Sequence, residues 1–451
     1  MSCAGLVPVM ALAQTAGLPE LVDQWVRLPT DKGANPGLKV MSLLGGMVVG
    51  ADSITGVDVL RHGGLGKLFT SVYAPSTLGS FLRGFTFGHV RQLDAVASRF
   101  LERLCELAAL VDPPRDDQWV FVDVDDTIIE VYGYHKQGAR VGYSNIRGLD
   151  ALIATVSTAS TAPVIVGQRL RAGNTNSQRG AKRFVADALS LTHRITGTHR
   201  DVLVRADSGF TGAGLVHTAV AHGAHVSVTL RLTGPVLTAI NGIGEQGWTP
   251  IDYPHPVVDP DTGELISRAE INETTHTMFS TRGSDAEPLT GRLIVRRVMD
   301  ANTNTHHRNG QDGLFNVWRF HAFFTTIPAT QIPTVAMDRL HRQHAVIEQV
   351  NADLKHSALA HLPSGRFAAN SAWLTLAVIS FNLTRAAAVL TGAPLKRATT
   401  TTIRHTIINV PARIASTARR IQLHLPKHWP WETMWTELFT RILGPPIPTT
   451  T

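Results

Sequence analysis

WVFVDVDDTIIEVYG, Trp119 to Gly133, changes the texture of the chain from helical to extended. Valine, isoleucine and aromatic residues dominate it, and apolar and polar side chains alternate, which is the pattern of a β-strand. Successive strand side chains point to opposite faces. Asp123 and Asp125 therefore share one face, and Val120, Val122 and Val124 share the other, which is expected to be buried. Two carboxylates on one face repel each other unless a cation or a shared proton lies between them. A solvated strand end is the plain alternative.

Downstream of this strand, Leu149 to Thr158 and Ala162 to Gly173 read as two more strands joined by a tight turn. Gln178 to Ile195 has helical periodicity, and DVLVRADSGF (Asp201 to Phe210) is a buried strand ending in Asp207, Ser208 and Gly209. A short helix at Gly214 to Ala221 and a strand at His225 to Leu232 complete the alternation. Sequential strands followed by alternating helix and strand predict an α/β core with a mixed sheet. Ligands bind at the carboxyl ends of strands in such sheets, which is where Asp207 stands.

The second informative stretch is MDRLHRQHAVIEQVNADLKH, Met337 to His356. It contains neither Pro nor Gly and reads as one uninterrupted helix. At ~100° per residue, His341, His344, Glu348 and Lys355 fall within roughly 60° of one another. Leu340, Ile347, Val350 and Leu354 form a separate apolar stripe. A solvated polar face explains such a stripe as readily as a site does. Two strand aspartates and a helical glutamate can together hold two hard cations, which take carboxylate oxygens as ligands.

Around these elements the chain divides into five expected segments. Residues 1–112 read as helices carrying Arg61, Lys67, Arg83 and Arg91, either a DNA-binding bundle or a structural domain. Val111 to Gln118 (VDPPRDDQ) is a linker, and 116–234 is the first part of the α/β core. Residues 235–328 read as a β-rich insertion and 329–392 as the return to the core, including a buried helix at Asn370 to Gly392. The tail, 393–451, is basic, with a helix expected near Arg413 to Leu423, a Trp-rich end and an unstructured PPIPTT.

Composition sets the outer limits. The 451 residues are 43% hydrophobic and 17% charged, enough apolar surface for sizeable cores and against disorder. The net charge of +7 suits a polyanionic partner. Cys3 and Cys105 lack the spacing of a zinc site or disulfide frame and fit a reducing cytoplasm. The apolar run Leu38 to Ala51 is shorter than the ~20 residues of a membrane span, and Cys3 to Leu18 lacks a basic leader, so neither a membrane partner nor a signal peptide is expected.

Two families resemble parts of this pattern. VFVDVDDT is similar to the opening motif of haloacid-dehalogenase-like phosphatases, with Asp123 in the nucleophile slot and Asp125 in the acid/base slot. The acidic pair which that family carries after a later strand has no match beyond Asp207, where Ser, Gly, Phe and Thr follow.

A much longer stretch, about residues 50 to 390, resembles the DDE transposases of bacterial insertion sequences, most closely the "insertion sequence thirteen-eighty" group. The resemblance is carried by GADSITGVDVLRHGGL (Gly50 to Leu65), APSTLGSFLRGFTFGHVRQLD (Ala74 to Asp94), DVDDT (Asp123 to Thr127), RADSGF (Arg205 to Phe210), IEQVNADLK (Ile347 to Lys355) and LPSGRFAANSAWL (Leu362 to Leu374). It implies a ribonuclease-H-like α/β domain with a β-rich insertion before its last catalytic helix.

By this resemblance Asp125, Asp207 and Glu348 are the catalytic, metal-holding carboxylates, with Asp123 as the alternative first aspartate. Two Mg²⁺ ions, or Mn²⁺ in their place, are the implied cofactors. Lys355 matches the lysine of the helix signature two turns after Glu348. His341 and His344 stand in its Tyr and Arg slots, so the phosphate grip departs from the family pattern, with Arg342 nearby to compensate.

The implied partners are terminal inverted repeats and target DNA, engaged by a homodimer in a synaptic complex in the bacterial cytoplasm. Lys136, Arg140, Arg147, Arg169, Arg171 and Lys355 are expected to steer backbone phosphates. Trp248 or Trp318 either stacks a flipped base or packs in the core. An inactive DNA-binding remnant of such an enzyme remains a third reading.

Overall fold

The structure is a computed structural model. It describes residues 1–29, 31–112, 118–197, 201–251, 257–258, 265–266, 269–280, 286–299, 318–417 and 420–445. Most of the expected linker at Val111 to Gln118, parts of the expected insertion and all but the first residue of the PPIPTT tail lie outside the described residues.

The chain opens with helices α1 (Leu6–Thr15), α2 (Leu18–Trp25), α3 (Pro36–Val49), α4 (Leu65–Leu68), α5 (Pro75–Arg83) and α6 (Phe87–Ala108). Strands β1 (Val120–Glu130), β2 (Arg140–Val141), β3 (Arg147–Ser157) and β4 (Val164–Ala172) follow. Helix and strand then alternate through α7 (Ala181–Thr196), β5 (Val202–Ala206), α8 (Ala213–Ala221), β6 (His225–Leu230) and α9 (Gly234–Asn241). Next come β7 (Thr249–Ile251), β8 (Val257–Val258), β9 (Leu265–Ile266), β10 (Ala269–Met278), β11 (Leu289–Met299) and β12 (Trp318–Thr325). The last elements are α10 (Thr334–Arg342), α11 (Val346–Lys355), α12 (Phe367–Leu390), α13 (Thr400–Ile403), β13 (Arg413–Thr417), β14 (Arg420–His424) and α14 (Glu432–Leu443).

These elements form two compact units. The first comprises Met1–Asn176, Asp187–Thr198 and Val346–Thr451, so the N-terminal helices share a unit with β1–β4 and α11–α14. Within it β3 runs antiparallel to β1 and to β4, and β2 pairs with the start of β3. The valines of β1 behave as alternation requires, with Val120, Val122 and Val124 fully buried.

Helix α12 is the core of this unit. It is long and apolar enough to cross a membrane, and 94% of its most apolar window is buried inside the structure. Several of its buried polar side chains bond inside the unit, as burial demands. Asn382 grips both backbone groups of Ile165 on β4, at 2.9 and 2.8 Å, and Trp373 Nε1 donates to Ala358 O at 2.7 Å.

The second unit comprises Ser177–Ala186 and His199–Ala345. Strands β5 and β6 are parallel and joined through α8, the crossover that parallel pairing needs. From β6 the order continues antiparallel through β12, β11, β10 and β7. The fold is mixed α/β, in keeping with a ribonuclease-H-like class. Residues 235–328 do carry strands, but their first turns form α9.

Two expected helices are corrected. Met337 to His356 is not one helix: α10 ends at Arg342, Gln343–Ala345 form a 3₁₀ turn, and α11 starts at Val346. Met337 and Asp338 are buried in the first piece, and Ile347, Val350 and Leu354 in the second. At ~100° per residue the centres of these two sets lie more than a quarter-turn apart, so the two pieces bury different faces.

Within Arg413 to Leu423 the described residues form two paired antiparallel strands, β13 and β14, rather than a helix. Ile421 and Leu423 alternate with polar residues, and Ile and Thr favour extended backbone. Cys3 and Cys105 are both free thiols.

Candidate active site

In the first unit, the face of β1 that carries Asp123 and Asp125 grades from closed to open. Asp123 is fully buried and paired in register with Thr155, whereas Asp125 is only partly covered. Helix α11 packs against β1 at this point. Asn351 Nδ2 donates to Asp125 Oδ2 at 2.9 Å, and the Asp126 backbone N–H donates to Asp125 Oδ1 at 2.8 Å.

Lys355 lies one turn beyond Asn351. Burial pushes its ammonium pKa down, while the negative charge of Asp125 pushes it back up. Glu348 lies one turn before Asn351, exposed in the first turn of α11, where the helix dipole favours a carboxylate. The structure thus brings Asp125 together with the helix that bears Glu348 and Lys355.

Asn351 was absent from the sequence reading. Its signal was available: it stands three residues after Glu348 on the same helical face. Its side-chain oxygen is buried without a hydrogen-bond partner among the described residues.

A second acidic layer lies next to Asp125. Arg171 Nη2 is 2.5 Å from Asp126 Oδ2 and 2.7 Å from Asp150 Oδ2. One guanidinium faces two carboxylates, with Asp125 close by. Burial pushes the Asp150 carboxyl up to about 7, against the pull of Arg171 and with help from Asp126 and Asp125. Arg171 is itself buried, so the expectation that it steers DNA phosphates is corrected: its charge is spent inside the unit.

In the second unit, Asp207 stands exposed at the end of β5 and caps the 3₁₀ turn that follows, its Oδ1 accepting from Gly209 N at 2.9 Å. Two residues earlier, buried Arg205 donates through Nη1 to Leu340 O at 2.6 Å, capping the last turn of α10.

His341 does not present its ring to a phosphate. It stacks on Phe323 at 4.0 Å, with Nδ1 2.8 Å from Ser227 Oγ and Nε2 3.1 Å from Thr229 Oγ1. Arg342 pairs with buried Asp338 at 2.8 Å, and Arg296 binds the other oxygen of that carboxylate. His344 lies in the 3₁₀ turn. His341 and His344 thus belong to the second unit and Glu348 to the first.

The other cations expected at phosphates, and the two tryptophans, have these surroundings in the structure. Arg147 donates to the carbonyls of Gly133 at 2.6 Å and of Val131 and Tyr134 at 3.4 Å. Lys136 Nζ donates to Leu362 O, and Arg169 lies 3.8 Å from Asp187. Arg140 is exposed. Trp248 and Trp318 both pack on Arg297, at 4.3 and 4.4 Å, which favours a structural role for both rings.

Among the described residues no group of three His, Cys, Asp or Glu side chains is close enough to hold a metal ion. The donor chemistry around Asp125 still suits a hard divalent cation: a carboxylate with the unpartnered amide oxygen of Asn351 beside it.

This chain belongs to the DDE transposases: a family model described as "Transposase DDE domain group 1" matches residues 2–445. A comparison with curated proteins finds no match.

Proposed function

We propose that the protein binds the terminal inverted repeats of an insertion sequence, cuts the DNA there and transfers the freed strand to a target. The observation that carries this reading is the bond from Asn351, on the helix of Glu348 and Lys355, to Asp125, in a chain whose family is that of the DDE transposases.

Asp125, Asp207 and Glu348 are the carboxylates assigned to hold two Mg²⁺ ions, with Mn²⁺ able to replace them. Bound divalent ions polarise a phosphodiester and neutralise the charge that builds on its oxygens. The chain's own residues bind and orient. Asn351 fixes the Asp125 carboxylate, and Lys355 offers a cation beside it for a phosphate oxygen. A homodimer that brings two ends together, working on DNA in the cytoplasm, completes the proposal. Burial of Asp123 disfavours phosphatase chemistry, which needs that residue as an open nucleophile.

The test is cleavage of labelled terminal-repeat DNA with Mg²⁺ or Mn²⁺. Asp125→Ala, Asp207→Ala and Glu348→Ala should each abolish cutting and retain DNA binding. Three variants that all cut like wild type would overturn the assignment. A wild-type chain that binds but never cuts would identify an inactive remnant.

A further inference from the structure

The connection between β1 and β3, residues 131–146, has no role in the chemistry above. Three of the chain's five tyrosines lie in it, and all three are exposed: Tyr132 at 76%, Tyr134 at 92% and Tyr143 at 103% of the full residue surface. Val141 and Ile146 are exposed beside them. Apolar surface concentrated in this way costs free energy unless a partner covers it.

This connection is braced. Arg147 bonds three of its carbonyls, and Gln137 N donates to Gly365 O at 2.9 Å. Gln137 Oε1 accepts from Phe367 N at 3.0 Å, and Gly173 N donates to Gly138 O at 3.1 Å. Gly133 and Gly138 take positive φ, 89° and 82°, a conformation that suits glycine. The aromatic tips therefore project from a fixed backbone, and a partner need not pay to order it.

Charge selects the partner. From Val131 to Leu149 there is no Asp or Glu, while Lys136, Arg140 and Arg147 are cationic. Glu130 and Asp150 bound this stretch, and the negative charge of Glu130 raises the pKa of the Tyr132 phenol. Arg147 lies 5.8 Å from the Tyr134 ring. Exposed rings on a positively charged surface match a polyanion that offers flat faces, which is unpaired nucleic acid.

We propose that this connection is a stacking surface for unpaired DNA bases, with Tyr134 and Tyr143 as its platforms. The proposal rests on the reading that the protein acts on DNA ends. By chain geometry Tyr134 lies at most roughly 30 Å from Asp125, about nine stacked bases at ~3.4 Å each. An unpaired strand that starts at Asp125 therefore meets the Tyr134 ring within about nine stacked bases.

The experiment uses the full chain, with fluorescence anisotropy at fixed salt. One probe is a labelled oligothymidylate of about 20 nucleotides, and the other a blunt duplex of the same length. The double variant Tyr134→Ala/Tyr143→Ala should weaken oligothymidylate binding at least about tenfold and leave duplex affinity within about twofold. Tyr134→Phe/Tyr143→Phe should match wild type on both probes, because the rings remain.

Equal losses on both probes, or none on oligothymidylate, would overturn the proposal. So would an alanine pair that changes only the sedimenting mass, since the surface would then join two copies of the chain. A wild-type chain that binds neither probe removes the DNA reading and the stacking surface together. Wild-type duplex binding without tyrosine dependence removes only the latter.

Discussion

Asn351 donates its amide N–H to Asp125 Oδ2 over 2.9 Å, linking the strand of the first assigned carboxylate to the helix of the third. A carboxylate held by an outer partner loses less freedom when it takes up a cation. Asn351→Leu keeps the volume and removes the bond. It should raise the Mg²⁺ concentration needed for half-maximal cutting by about 10- to 100-fold, with little change in melting temperature. A Mg²⁺ titration of the cleavage rate checks this. An unchanged midpoint would leave Asn351 a purely structural residue.

Asp150 makes stability depend on pH. Its carboxyl is raised to about 7 by burial, so the folded chain keeps a proton that the unfolded chain releases near pH 4. The folded state binds more protons across that window. Its contribution is therefore full below pH 4 and declines as pH rises towards 7, by up to about 1.4 kcal/mol per pH unit. Asp150→Asn should remove this slope. Urea unfolding of both proteins at intervals from pH 4 to 8 gives the difference, and parallel curves would show that Asp150 is ionised throughout.

The strand at Trp119 to Gly133 was legible because one residue type per face settled it: buried valines on one side, aspartates on the other. The parallel strand ending at Asp207 was legible for a different reason, a short and mostly apolar run that is buried on both faces. The break after Arg342 was not. No Gly or Pro marks it, and it arises because Asp338 anchors α10 through Arg296 while Ile347, Val350 and Leu354 anchor α11. Those are tertiary constraints acting on a sequence with continuous helical propensity.

The same limit hid the true setting of His341 and Arg171. Each looked like a surface group until its partners on other strands were in place, Ser227 and Thr229 for one, and Asp126 and the directly opposed Asp150 for the other. Asn351 was missed for a different reason: an amide has no charge to draw notice in a helix that also carries Glu348 and Lys355.

His341 should therefore matter for folding rather than for DNA. Burial pushes its pKa well below the ordinary value, and the charges of His344, Arg205 and Arg296 add to this. Its contribution is then full above about pH 6.5 and is lost as pH falls below that value. His341→Ala removes the stack on Phe323 and should cost about 3 kcal/mol. The salt dependence of DNA binding should stay as in wild type. A reduced salt slope in this variant would restore His341 as a phosphate contact.

Asp353 offers a test of how α11 is held. It is buried, with Oδ2 accepting from Thr400 N at 2.8 Å and Oδ1 from Thr400 Oγ1 at 2.5 Å. Its negative charge also reaches Arg385 and Arg404, opposing the burial that lowers both of their pKa values. Two effects are thus combined in one side chain, hydrogen bonding to the start of α13 and neutralisation of two cations.

Substitutions separate these effects. Thr400→Val removes one hydroxyl bond and should cost about 1 kcal/mol. Asp353→Asn keeps a hydrogen-bonding group but leaves Arg385 without its counter-charge, and should cost more. Asp353→Ala loses both and should cost about 3–5 kcal/mol, the range for stripping a partner from a buried charge. Urea unfolding of the three variants gives the order. If Asp353→Asn were as stable as wild type, the arginines would play no part, and the helix that carries Glu348 would be held at this end by hydrogen bonds to Thr400 alone.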